Sequence, residues 1–148
     1  MRPGSCCHRG AMDWTLEVVV LPVADVDRAK VFYSEQVGFH VDADRRMSPA
    51  MRVVQLTPPG SGCSVVVGEG LTRAVPGSYQ GLQLCVTDID AARAQLVERG
   101  VGASEVFHFG ETGQNPGHGG PWNTFVTFSD PDGNGWIVQQ VPKDRTDR

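Results

Sequence analysis

The sequence predicts an α+β fold of two tandem βαβββ modules, and three observations carry that prediction. Shifting the chain by 63 positions lays Val23, Asp25, Asp27, Ala29 and Glu35 on Val86, Asp88, Asp90, Ala92 and Glu98, all identical. Each set marks a joint where a β-like run gives way to a helix-like run. Each copy then ends in a glycine-containing turn ahead of an apolar run: Pro58-Pro59-Gly60-Ser61-Gly62 in the first, Asp130-Pro131-Asp132-Gly133-Asn134-Gly135 in the second. A tandem repeat explains both ends of the unit at once.

Residues 16–23 are rich in β-branched side chains, which suit a pleated surface, and predict the first strand. Asp25 follows, with a carboxylate able to accept from the free N–H groups of a helix start. The helix is expected over 26 to about 36, because Ala29, Phe32, Tyr33 and Val37 recur at three-and-four spacing and Gly38 suits its exit. Asp27 in the first turn complements the positive end of the helix dipole. Strands over 39–45, 51–57 and 63–67 complete the module, separated by Met47-Ser48-Pro49 and by the turn at 58–62. The second module repeats the order, with a strand over 81–86, a helix over 89–99 stopped by Gly100, and strands over 103–109, 124–128 and 136–141. One departure is the stretch 110–122, 13 residues with five glycines and two prolines where module one has a short turn. It is expected to be a loop, and loops of that length in compact domains often act as lids or binding segments.

A chain of 148 residues is long enough for one domain with a continuous core. Residues 1–13 read as a leader rich in Pro, Gly, Ser and Arg, expected to be disordered, with Met12 an alternative start. Module one spans 14–67, a linker 68–79, module two 80–141 and a tail 142–148. The net charge of −4, with both signs interspersed, offers no basic stripe for nucleic acid and no polybasic membrane segment. No apolar run approaches the roughly 20 residues that cross a bilayer. The leader has no secretory hydrophobic region, so a cytoplasmic protein is expected. Cys6, Cys7, Cys63 and Cys85 do not form a disulfide framework. Cys6-Cys7-His8 are contiguous and lack the spacing of a structured metal site. There is no Gly-x-Ser-x-Gly elbow, and the glycine-rich stretch after Gly110 lacks the Gly-Lys-Ser or Gly-Lys-Thr ending of a phosphate loop.

The paired modules, the entry Leu-Pro-Val-Ala-Asp-Val-Asp-Arg-Ala-Lys-Val-Phe-Tyr and the exit Phe-Ser-Asp-Pro-Asp-Gly-Asn-Gly-Trp together resemble the vicinal oxygen chelate superfamily, the glyoxalase, bleomycin-resistance and extradiol dioxygenase group. The resemblance covers residues 14–141. It implies that the modules curl into a mixed sheet whose concave surface holds a small-molecule pocket. It also implies that metal-dependent members carry a His, Gln or Glu near the start of each module's first strand and a carboxylate on each last strand. Such donors let a divalent ion polarise a substrate oxygen. Counting from Asp25 and Asp88 puts Val18 and Gly81 at the first positions, and counting from the turns puts Ser64 and Ile137 at the last. These cannot form a ligand set, and recruiting Glu17 instead would turn the first strand over. The expectation is therefore no metal and no other cofactor, although a divalent ion is the family's usual one. The resemblance allows either a monomer or a homodimer that pairs modules between subunits.

Strand alternation predicts which side chains line the pocket. Val18, Val20, Ser64 and Val66 of module one and Gln83, Cys85, Ile137 and Gln139 of module two are expected on the same concave face. This lining suits an organic ligand held by the two amides. His118 and Trp122 could close over it from the glycine-rich stretch, while Trp14 and Trp136 are stacking candidates or hydrophobic anchors. His40, His108 and Glu105 are weak candidates for acid-base chemistry, and Arg52 is a candidate charged pocket residue. The function expected is metal-independent binding or sequestration of a drug or metabolite. The alternative is a lyase, isomerase or dioxygenase that uses those His and Glu groups or a relocated metal.

Overall fold

The structure, a computed structural model, describes residues 12–144. Most of the expected leader, including Cys6, Cys7 and His8, and the end of the tail lie outside the described residues. Module one runs β1 (Val18–Val20), α1 (Val26–Val31), which continues in a wider π-helical turn over Phe32–Val37, β2 (His40–Ser48), β3 (Met51–Thr57) and β4 (Ser64–Glu69). Module two runs β5 (Leu82–Val86), α2 (Ile89–Glu98), β6 (Phe107–Gly110), β7 (Gly113–Pro116), β8 (Phe125–Ser129) and β9 (Gly135–Gln140). Each module forms its own mixed sheet, ordered β1-β4-β3-β2 and β5-β9-β8-β6-β7. This is the α+β duplication read from the sequence.

The repeated aspartates do the same work in both halves. Asp25 Oδ1 accepts from Arg28 N at 3.0 Å and Asp88 Oδ1 from Ala91 N at 3.1 Å, so each caps its helix. The first strand of each module pairs in parallel with the last, β1 on β4 and β5 on β9. Gly38, at φ 97°, ends the first helix in the left-handed region as expected. The wide turn before it coincides with Ser34, whose Oγ donates to Lys30 O at 2.6 Å and competes with the regular ladder there.

Three expectations about strands need correction. The stretch 110–122 is not all loop, because Gly113–Pro116 folds back on β6 as a hairpin with Gly110 opposite Gly113. The strand expected over 103–109 begins only at Phe107: the Ser104 hydroxyl, rather than a carbonyl, accepts from Thr127 N at 2.9 Å. The first strand is three residues, shorter than the expected run 16–23.

A single core joins the modules through their helix sides. Leu21, Val54, Leu56, Val65 and Val67 from sheet one meet Val126, Phe128, Trp136 and Val138 from sheet two, with Phe32 and Tyr33 of the first helix between them. The Phe32–Phe128, Tyr33–Trp136 and Phe39–Trp136 ring pairs cross the junction with centroids 5.8–6.3 Å apart. Trp136 is therefore a core anchor. The turn ahead of it is also a junction: Asp130 Oδ1 accepts from the amides of Asp132, Gly133 and Asn134, each at 2.9 Å. Its Oδ2 accepts from Tyr33 Oη at 2.7 Å and from Asn134 Nδ2 at 2.8 Å. Asn134 Nδ2 also reaches Pro22 O at 2.9 Å in module one.

Candidate functional site

With the helix sides committed to the core, the other face of each sheet is where ligand chemistry can be presented. In module one, cross-strand register places Val20, Val66, Gln55 and Ala43 in one row. Beside it Val18 pairs with Ser64, whose Oγ lies 2.6 Å from Thr57 Oγ1 and accepts from Gln55 Nε2 at 3.4 Å. Thr57 Oγ1 in turn donates to Asp42 Oδ2. Ser64 and Val66 are buried in the middle of the face, while Val18 is exposed. An apolar edge thus gives way to a polar cluster of Ser64, Gln55, Thr57 and Asp42.

Module two is built differently. Register sets Phe107, Phe125, Gln139 and Cys85 in one row, and Thr127, Ile137 and Gln83 in the next. Gln83 Nε2 donates to Gln139 Oε1 at 2.6 Å, and Gln139 Nε2 donates to Trp122 O at 2.7 Å. The Gln139 amide is thus used on both ends, whereas Gln83 Oε1 still has acceptor capacity to offer a ligand. Phe107, Phe109 and Phe125 form an aromatic group with centroids 5.2–5.8 Å apart, and Phe109 is 47% exposed.

The structure therefore brings together Gln83, Cys85, Ile137 and Gln139 on one sheet and Val18, Val20, Ser64 and Val66 on another. Among the described residues no hydrogen bond joins the two sets, so the single concave face expected from alternation is two faces on separate sheets. The sequence reading missed Asp42, Gln55 and Thr57, although Gln55 and Thr57 alternate with the core residues Val54 and Leu56. It also missed the phenylalanines, whose signal was the spacing Phe107-x-Phe109.

The remaining candidates are dispersed. His40 is exposed, with Nε2 3.9 Å from Asp42 Oδ1. His108 Nδ1 lies 2.9 Å from Gly117 O, and His118 Nε2 lies 2.9 Å from Asp90 Oδ2 at the first turn of α2, so His118 does not close over the sheet face with Trp122. Glu105 is exposed and faces Arg93 at 3.4 Å. Arg52 is not a pocket residue: it bonds Asp44 and Asp27, both at 2.9 Å, and with Lys30 ties the first helix to β2 and β3. Those two cations hold the Asp44 carboxyl well below the usual carboxylate range, the Arg52 hydrogen bonds contributing most. Trp14 is 85% exposed.

The register also corrects one metal position. Gly81, the counterpart of Val18, precedes Leu82, which pairs with Trp136, so Ile137 matches Val66 in module one, not Ser64. The family-type set is then Val18, Val66, Gly81 and Ile137, with no side-chain donor at all. These residues do not fit a divalent ion. Among the described residues no group of three His, Cys, Asp or Glu is placed to hold one elsewhere.

Two parallel-closed βαβββ modules joined through their helix sides define the class. Residues 15–138 match the Glyoxalase/Bleomycin resistance protein/Dioxygenase superfamily, and the chain belongs to it. It is similar to the crystal structure of TnmS3, an antibiotic binding protein from Streptomyces sp. CB03234, at 34% identity and a TM-score of 0.72, covering 88% of this chain and 98% of that one. A superfamily member from Sphaerobacter thermophilus DSM 20745 matches at 31% identity and a TM-score of 0.70, over 88% and 99% of the two chains. The uncharacterized protein YetH of Bacillus subtilis (strain 168) is 27% identical over 123 residues, 82% of this chain and 94% of its own. No helix among the described residues is long and apolar enough to cross a membrane.

Proposed function

We propose that this chain is a metal-independent binding protein that sequesters a small organic molecule, a drug or metabolite, on the outer faces of its sheets. The observation that carries the reading is the makeup of those faces. The family's metal positions hold Val18, Val66, Gly81 and Ile137, while the side chains around them offer amide, hydroxyl and aromatic contacts. Such a surface recognises an organic body with a few polar groups. The likeness to an antibiotic binding protein at 34% identity supports it. The enzymatic alternative draws less from the geometry, since His40 lies near Asp42, His108 near Gly117 O and Glu105 near Arg93, in three separate places. The free thiols of Cys63 and Cys85 favour a cytoplasmic setting.

The working unit in this reading is a homodimer. β1 and β5 each lie at the end of a sheet with one edge unpaired. Trp14, Leu16 and Val18 lead into β1 exposed at 85%, 72% and 39%, a run of apolar surface that a free edge leaves in water. A second copy laying its β5 beside β1 sets the polar face of module one next to the aromatic face of module two.

The test is a ligand screen by tryptophan fluorescence and thermal shift on the untagged chain, with and without chelator. A saturating compound is expected whose binding is indifferent to chelator. Phe109→Ala should weaken it about tenfold, the ~1.4 kcal/mol of one aromatic contact. Binding that disappears with chelator and returns with manganese, iron, nickel or zinc sinks the reading, as does a broad screen in which nothing stabilises the protein.

A further inference from the structure

We propose a second binding site, separate from the outer faces, that takes an amphipathic carboxylate: an apolar body with one anionic end. Where the modules meet, packing leaves a cleft of about 430 Å³ between α2, the edge strand β5 and the end of the first helix. That volume lies within the roughly 300–1,000 Å³ of small-molecule sites. Its floor is the helix side of sheet two, with Leu84 and Val138, and Leu96 of α2 stands beside them. Phe39 and the Pro58-Pro59 turn form the opposite wall from module one. Water in such a cleft finds few partners, so an apolar ligand that replaces it gains free energy.

The polar groups identify the other end of the ligand. Gln95 and Arg99 lie one turn apart on the side of α2 that borders the cleft. Arg99 Nη1 lies 3.0 Å from where a side chain on Gly38 would begin, so the absence of one there leaves room for the guanidinium across the cleft wall. Arg99 is exposed, and its guanidinium enters no ion pair or side-chain hydrogen bond among the described residues, although its carbonyl accepts from Gln36 Nε2 at 3.0 Å. Four of the other arginines described, Arg28, Arg46, Arg52 and Arg93, are each paired with a carboxylate. A guanidinium stays charged and presents a fork matched to a carboxylate. In a chain of net charge −4, general attraction does not gather anions, so affinity has to come from this local pairing. Neither residue belongs to the outer faces, although the cleft borders β5, the edge strand that the proposed dimer pairs.

Isothermal titration of the full chain with octanoate and with 2-naphthoate tests the site, with 1-octanol as the uncharged control. Octanoate binding is expected to saturate at one per chain, and Arg99→Gln should weaken it about tenfold while leaving octanol unchanged. Ala92→Phe, which fills the cleft from α2, should abolish both. Naphthoate binding as tightly as octanoate points to aromatic acids, and octanoate alone to flexible fatty acids; both support the carboxylate class. The proposal is overturned if neither acid saturates, or if Arg99→Gln binds octanoate like the unaltered chain. Light scattering on the same samples adds a further arm: if octanoate binds only when a dimer dissociates on dilution, the cleft is interface and not a ligand site.

Discussion

Single residues at the module junction carry more of the fold than their chemistry first suggests. The Asp-Pro-Asp-Gly-Asn-Gly run is legible in the sequence as a tight turn, yet its role as a clamp depends on Tyr33 and Pro22, about a hundred residues away, which no local pattern reveals. Burial and then the hydrogen bond to Asp130 push the Tyr33 phenol above its usual range, so it remains a donor and Asp130 remains its acceptor. Asn134, fully buried, serves Asp130, Pro22 and Tyr79 at once. Asn134→Ala should therefore cost about 2–4 kcal/mol in urea unfolding, because it orphans partners that water cannot reach; a loss under about 0.5 kcal/mol would show the clamp to be slack. Asp44 carries a pH signature. Its folded pKa is depressed by Arg52 and Lys30, so its contribution is present above the unfolded value near ~3.9 and lost as pH falls through the folded value. The stability gap between the unaltered chain and Asp44→Asn should be widest near neutral pH and close progressively below about pH 4. A gap constant from neutral to acid would contradict the pairing.

At the scale of elements, legibility follows locality. Both helix starts are readable because Asp25 and Asp88 act on amides three residues away, and Gly38 because a left-handed exit favours glycine. The hairpin of β6 and β7 is hidden because its second strand, Gly-Gln-Asn-Pro, lacks β-forming side chains. The hairpin is steadied from outside, where the Asn123 side chain bonds both the N–H and the carbonyl of Phe109 at 2.9 Å, much as a neighbouring strand would. The linker is likewise fixed by backbone geometry that sequence does not announce. Gly77 has φ 81°, its N–H donates to Pro22 O at 3.0 Å, and a β-carbon there would fall 1.9 Å from Asp132 O. Gly77→Ala must therefore push the linker off both modules. The expected cost is about 2 kcal/mol or more in unfolding, with hydrogen exchange rising first around Pro22 and Asp132. Unchanged exchange there would mean the linker is not what holds the junction.

For the whole molecule, the duplication was readable and the disposition of its faces was not. Strand alternation gathers Val18, Val20, Ser64 and Val66 with Gln83, Cys85, Ile137 and Gln139 on one concave face, whereas the structure divides them between two sheets, because alternation fixes only the facing within each strand. Whether those groups meet depends on how two sheets share one core, and that is decided by Phe32, Tyr33 and Trp136 across the junction. The edges settle what remains to be tested. Ser64 N donates to Glu17 O and Leu21 N to Val66 O, so alternation turns the backbone groups of Val18 and Val20 toward the free side of β1. Proline at position 20 then removes only an outward N–H and leaves the β1–β4 ladder intact. If β1 pairs with a second copy, the unaltered chain should scatter with twice the chain mass and Val20→Pro with once, at unchanged helix content. Ligand affinity should fall with the mass, because each outer face then loses the face that completes it. An unaltered chain that is monomeric at all concentrations removes the dimer, and a proline variant that stays dimeric moves the interface away from β1.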